Sequence, residues 1–240
     1  MHNLKDKTIW ITGSSKGIGA AIARSLADSD ARLVLSASSA KSFDSIKREF
    51  SERKNVYIMP FDIADAEACK RAFGKIEALA GSVDILINNA GVASFAPFEE
   101  LSVDQFDEMF GINVRGLFMC TKLALPGMLD RKSGMIMNIL SNAALKTFPN
   151  SSVYAATKAA VRAISRSMRE EIRGRGVKVV DIYPGATATD IWAPEMLDKF
   201  ADKMMPPEDV ANVVVHTIEM SMLGNNMVEE IVVRPQGGDL

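Results

Sequence analysis

The sequence predicts a doubly wound α/β Rossmann fold: one domain of about seven parallel strands with helices on both faces. Two observations predict it. Short β-branched runs without polar alternation recur along the chain, separated by stretches of helical period, as expected of parallel strands buried on both sides. In addition, a glycine-rich turn, TGSSKGIG at residues 12–19, leads straight from the first such run into the first helix.

The strands are read at TIWIT (8–12), LVLS (33–36), VYIM (56–59), ILIN (85–88), MIMNIL (135–140), VKVVDIY (177–183) and EEIVVR (229–234). Helical periodicity covers 17–28, 41–51, 64–79, 103–125, 152–172 and 207–222, with charged residues on the outer faces. No repeat, low-complexity tract or linker divides residues 1–240. The Met- and Pro-rich stretch WAPEMLDKFADKMMPP (192–207) marks a substrate-loop excursion at about 190–207, readable equally as a lid or as a packing subdomain.

Composition narrows the function classes. With 48% apolar residues and a net charge of -2, the chain has a sizeable core and lacks the basic surplus of a nucleic-acid binder. No apolar run approaches the roughly 18 residues of a membrane span, and the N-terminus has no signal-peptide pattern, so a cytoplasmic protein is expected. Cys69 and Cys120 are too few for a disulfide framework, and His2 and His216 form no ligand cluster, so no metal site is expected.

The glycine turn has the spacing Gly-x-x-x-Gly-x-Gly. Gly13 permits the tight turn, Gly17 lets a dinucleotide approach the backbone, and Gly19 lets helix and strand pack closely. With Ser15, Lys16 and Ile18 they form the expected pyrophosphate cradle at a helix N-terminus. A second constellation carries chemistry. Tyr154 and Lys158 lie four residues apart on one face of a helix, and Ser141 lies thirteen residues upstream at a strand end, on the edge where open α/β sheets bind ligands. An ammonium beside a phenol favours the phenolate and draws its pKa toward a working general acid or base.

These residues, with Asp62 after the third strand, NNAG at 88–91, Asn113 in the long following helix and Pro184-Gly185 after the sixth strand, resemble the classical short-chain dehydrogenase/reductase family over essentially the whole chain. The resemblance implies a catalytic set of Asn113, Ser141, Tyr154 and Lys158. Tyr154 would give a proton to a carbonyl, or take one from an alcohol, and Ser141 would stabilise charge on the substrate oxygen. Lys158 would lower the tyrosine pKa and bind the nicotinamide ribose, and Asn113 would hold a relay water. Asp62 and Ile63 would meet the adenine, with Asp62 also a candidate helix cap before Ala64. Asn89, Ala90 and Gly91 would border the adenosine ribose. Pro184, Gly185 and Thr189, with Thr187 beside them, would meet the nicotinamide amide and phosphate. Asn88 would tie strands together, and Gly111 and Gly116 would serve helix packing. The helices at 103–125 and 152–172 would support a homodimer or homotetramer.

The second strand end, ARLVLSASSAK (31–41), has no acid near Ala37 to bond the adenosine ribose hydroxyls of NAD. Ser38 and Lys16 are instead a set that would accept a 2'-phosphate, so NADP(H) is the expected cofactor. NAD(H) stays open, because Ser38 stands where NADP-type relatives often have arginine. Ala93, Ala143, Leu145, Phe148, Ile191, Trp192 and Met196 are expected to wall an apolar pocket, which favours a hydrophobic ketone, aldehyde or secondary alcohol, with neither nucleic acid nor membrane as partner. The ending EEIVVRPQGGDL departs from the acyl-carrier-protein ketoreductases of the family. The expected activity is that of a carbonyl reductase; the alternatives are an NAD-preferring alcohol dehydrogenase and a nucleotide-sensing regulatory protein of the same fold.

Overall fold

The computed structural model describes residues 4–224 and 226–239. Seven parallel strands form one sheet in the order β3-β2-β1-β4-β5-β6-β7. They are β1 (Thr8–Thr12), β2 (Arg32–Ala37), β3 (Val56–Pro60), β4 (Ile85–Asn88), β5 (Gly134–Ile139), β6 (Val177–Pro184) and β7 (Glu230–Val233). The helices are α1 (Gly17–Leu26), α2 (Asp44–Glu49), α3 (Ala66–Ala80), α4 (Val103–Phe110), α5 (Leu117–Asp130), α6 (Ser152–Ile172), α7 (Pro194–Phe200) and α8 (Pro207–Met222).

The layers explain why the strands lack polar alternation. Ile9 and Ile11 of β1 pack on the face covered by α1, α2 and α8, whereas Trp10 between them packs on the face covered by α3 and α5. Both side-chain directions meet apolar surface, so both need apolar residues. The strand order reverses between β1 and β4, which opens a crevice at the carboxyl ends of the strands.

Four elements differ from the sequence reading. The helix expected at 103–125 is α4 and α5 joined by a π-helical stretch, Gly111–Gly116, and it runs on through Pro126 to Asp130. The cost of proline is offset by burial of Ala124 and Met128 against the sheet. Within the π stretch, a Cβ on Gly116 would lie 2.9 Å from Ile63, whereas one on Gly111 would meet only Ala64 at 3.8 Å, so close packing belongs to Gly116 alone. The helix expected from 41 begins as a 3-10 turn, and the helix expected from 64 begins at Ala66, where Asp65 caps it by accepting from the amides of Glu67 and Ala68. The excursion before α8 contains α7 and a 3-10 turn, Ala201–Lys203. Its two ends are laced together: Met205 N donates to Ala186 O at 3.0 Å and Ala188 N to Met205 O at 2.9 Å. Among the described residues, no helix is long and apolar enough to cross a membrane.

Candidate active site

The crevice holds two adjoining cavities of about 370 and 360 Å3. Ile18, Leu140, Tyr154, Thr189 and Ile191 line both.

The first cavity is built on the glycine turn. Asn89 braces that turn, its Nδ2 donating to Thr12 O at 3.0 Å and Gly13 O at 2.9 Å. Thr12 Oγ1 accepts from the amides of Asn89 and Ala90 at 3.0 and 3.1 Å, which clamps β1 to the end of β4. Contact is so close that a Cβ on Gly13 would lie 2.6 Å from Ala90 Cα, and one on Gly19 2.4 Å from Gly13 O; Gly13 also has φ +64. Lys16, the N-cap of α1, makes no side-chain cap. The first-turn amides of Gly17, Ile18 and Gly19 therefore have no intrahelical acceptor, and Gly17 and Ile18 face the cavity. Ser15, Lys16, Ser38, Asp62, Ile63, Asn89, Ala90 and Gly91 complete its wall.

Two placements differ from expectation at the rim. Lys16 Nζ pairs with Asp190 Oδ2 at 3.2 Å, both side chains about two-thirds exposed, and Ser38 lines the same cavity. Asp62 Oδ1 accepts from Ala64 N at 2.9 Å, closing a local turn, and Asp65 takes the helix-capping role.

Asn113 lines neither cavity; it is buried in the π-helical stretch behind the wall residue Gly91. Its Oδ1 accepts from Val92 N at 2.8 Å, and its Nδ2 donates to Val92 O at 2.9 Å and Thr157 Oγ1 at 3.0 Å. Ser141 follows β5 and accepts from Ala143 N at 3.1 Å. Tyr154 and Lys158 project from the start of α6, and Lys158 Nζ donates to Ile139 O at 2.9 Å. Burial governs both titrations. It pushes the Tyr154 phenol up to about 12 against the opposing hydrogen bond with Ser141, and it presses the Lys158 ammonium down to about 8. The lysine lies 5.8 Å from the tyrosine ring centroid, so desolvation, and not pairing, sets the tyrosine.

The second cavity is more apolar. Ser141, Ala143, Phe148, Trp192 and Met196 line it, while Ala93 lines the first cavity; Leu145 lines neither and is exposed. Pro184, Gly185 and Thr187 also face this second cavity, and Thr189 stands between the two. Trp192 is anchored by donating from Nε1 to Thr187 O at 3.0 Å, and it stacks on Phe95 at 5.0 Å. Phe95 in turn meets Tyr154 edge-on at 5.6 Å, so Phe95 lies between the indole and the phenol.

Sequence reasoning missed Phe95, Asn142 and Asp239, which also line this cavity. Phe95 stands four residues past the NNAG turn, a position that could have flagged it. Asp239 has no local signal, because Lys146, one of its partners, lies 93 residues away.

Tyr154 is therefore the junction, with Lys158 on the glycine-turn side and Ser141 on the apolar side. A carbonyl oxygen at that junction would meet a protonated phenol and a serine hydroxyl, the arrangement needed to stabilise and protonate a developing alkoxide.

A family model for short chain dehydrogenase matches residues 7–199. An uncharacterised oxidoreductase of Staphylococcus aureus (strain USA300) is 32% identical over 235 residues, covering 98% of this chain and 100% of the relative. An alcohol dehydrogenase from the archaeon Thermococcus sibiricus, complexed with 5-hydroxy-NADP, superposes with a TM-score of 0.83 at 28% identity, covering 96% of this chain and 97% of that one. The closed form of a serine dehydrogenase complexed with NADP+ superposes with a TM-score of 0.86 at 28% identity, covering 94% of each chain.

Proposed function

Because the chain belongs to the short-chain dehydrogenase family, and so to its oxidoreductases, we propose that it transfers a hydride between NADP(H) and an apolar ketone, aldehyde or secondary alcohol, acting as a carbonyl reductase. The observation that carries this reading is the position of Tyr154, shared by a glycine-turn cavity and an apolar one.

The first cavity fits a dinucleotide. Its turn leaves no room for a Cβ at Gly13, and its uncapped helix start offers free amides to a pyrophosphate. Gly13, Ser15, Gly17, Ile18 and Gly19 would hold that group, Asp62 and Ile63 the adenine, and Asn89, Ala90 and Gly91 the adjoining ribose. The absence of an acid at Ala37 and Ser38, and the NADP forms bound by similar solved structures, support NADP(H) over NAD(H). When bound, the nicotinamide supplies the hydride in reduction.

The chain's own residues do the rest. Tyr154, protonated across the neutral range, delivers its proton from Oη to the substrate oxygen. Ser141 Oγ donates to the same oxygen. Lys158 binds the ribose from the first cavity and, titrating near 8, resupplies the proton. Asn113 has both Nδ2 hydrogens engaged and keeps one Oδ1 lone pair for a relay water. Pro184, Gly185, Thr187 and Thr189 border the nicotinamide from the second cavity's side. Exposed Val103, Phe106 and Phe118 on α4 and α5 support assembly into a homodimer or homotetramer.

The test is loss of NADPH absorbance with a panel of aryl and alkyl ketones and aldehydes. Turnover of apolar members is expected. NADPH binding without turnover of any member would replace this reading with that of a nucleotide-sensing protein.

A further inference from the structure

Among the described residues that line the apolar cavity, Asp239 is the one charged side chain. It comes from the last few residues of the chain and is held there by four bonds. Its Oδ1 accepts from Asn142 Nδ2 at 2.9 Å and from Arg234 Nε at 3.0 Å; its Oδ2 accepts from Lys146 Nζ at 3.0 Å and from Arg234 Nη2 at 2.7 Å. The Asp239 side chain is only 10% exposed and lines the cavity with Asn142, whereas Lys146 and Arg234, 57% and 44% exposed, line neither cavity and reach the carboxylate from outside the wall. Asn142 directly follows Ser141, which ties this cluster to the hydroxyl pair at the junction.

A guanidinium fork, an ammonium and a side-chain amide converging on one carboxylate form a carboxylate site. Here the chain fills it itself. A substrate carboxylate entering the cavity would find these donors taken and a like charge in its path. We propose that Asp239 is a specificity-determining residue: it occupies from within the subsite that Asn142, Lys146 and Arg234 would offer a substrate carboxylate, and so keeps the cavity selective for uncharged carbonyl compounds. The inference rests on the hydride-transfer reading above for its kinetic arm, and on binding alone for its second arm.

The kinetic arm compares acetophenone with 3- and 4-acetylbenzoate in the wild-type chain, Asp239→Ala, Asp239→Asn and Asp239→Glu. The ratio of kcat/KM for the better carboxylate to that for acetophenone should rise at least about tenfold in the Ala and Asn variants, the scale of one charge-assisted hydrogen bond, and return toward the wild-type ratio in Asp239→Glu. The binding arm titrates benzoate calorimetrically into each protein. Heat of binding is expected for the Ala and Asn variants and not for wild type or Asp239→Glu. An unchanged ratio in both neutral variants, or equal benzoate affinity in all four proteins, would overturn the assignment. Failure of every protein to reduce acetophenone would count against hydride transfer to aryl ketones, and the benzoate titration would still decide the role of Asp239.

Discussion

Helix α6 buries two titratable clusters and treats them in opposite ways. Near its C-terminal end, Arg169 donates to Asp181 Oδ2 and Glu229 O, each at 2.9 Å, and to Val179 O at 3.1 Å. The other oxygen of Asp181 accepts from Ser165 at 2.6 Å and Asn138 at 2.9 Å, and Asn138 accepts from Asn88 at 3.0 Å. Charge meets countercharge and the network runs across β4, β5 and β6, with Asn88 Oδ1 at its end left without a partner among the described residues. At the N-terminal end, Lys158 has one backbone carbonyl as acceptor among the described residues, and the Tyr154 phenol is buried beside Ser141. The difference separates structure from chemistry. One cluster uses its hydrogen-bonding capacity within the fold; the other keeps capacity directed at a cleft, which costs stability and leaves groups able to exchange protons.

The largest effect that should break this contrast is Tyr154→Phe. Removing the proton source should lower kcat by about 10²–10⁴-fold, the usual range for general acid catalysis, with NADPH affinity nearly intact. Stopped-flow reduction of a ketone substrate measures it, and a rate within a few fold of wild type would remove Tyr154 from the mechanism. On the closed cluster, Arg169→Met should act on stability instead. It leaves the Asp181 carboxylate buried without its countercharge, and denaturant unfolding should report a loss of about 3–5 kcal/mol. A loss below 1 kcal/mol would mean that the network contributes no more than a surface pair.

Lys158→Met sharpens the comparison through pH. Folded Lys158 titrates near 8, below the ordinary 10.5, so between those values the unfolded chain binds more protons and stability rises with pH. Below pH 8 the buried charge is a full penalty. The methionine variant should therefore be inactive yet more stable at pH 7, by an amount on the order of 3 kcal/mol less the lost bond to Ile139. The gap should close as pH rises from 8 to 10.5. Tyr154, whose pKa is raised, lowers stability above pH 10 in both proteins and cancels in the difference. A stability gap that stays flat with pH would show that Lys158 is not desolvated in solution.

The contrast also marks what could be read in the sequence. The seven strands were legible because each needs apolar side chains on both faces, as Ile9, Trp10 and Ile11 illustrate. The cleft was legible where its parts are local: the glycine turn, and Tyr154 with Lys158 one helical turn apart. Positions set by tertiary contact were not. The π-helical stretch around Asn113 was not legible, because the glycines flanking it announce close packing but not a change of helix type, and the contact that Gly116 makes is with Ile63, more than fifty residues away. The direction of the tyrosine shift was also hidden, because spacing reveals the neighbouring ammonium but not the depth of burial that outweighs it. Asp239 lies further still from local pattern, because only Arg234 is near it in sequence and its other partners, Asn142 and Lys146, come from one segment more than 90 residues away.

The smallest effect concerns the rim, where Lys16 pairs with Asp190. Both side chains are largely exposed, and such a pair contributes at most about 1 kcal/mol, so a 2'-phosphate arriving over Ser38 can draw the lysine across. Asp190 then competes with the phosphate for one cation. Asp190→Asn should tighten NADPH binding about two- to fivefold with little change for NADH, and Lys16→Ala should weaken NADPH more than NADH. Both differences should shrink as salt is raised toward 1 M, where the screening length is about 3 Å. Fluorescence titration of the two nucleotides into each variant decides the matter. Equal shifts for NADPH and NADH would place Lys16 away from the phosphate and leave Ser38 with the hydroxyl alone.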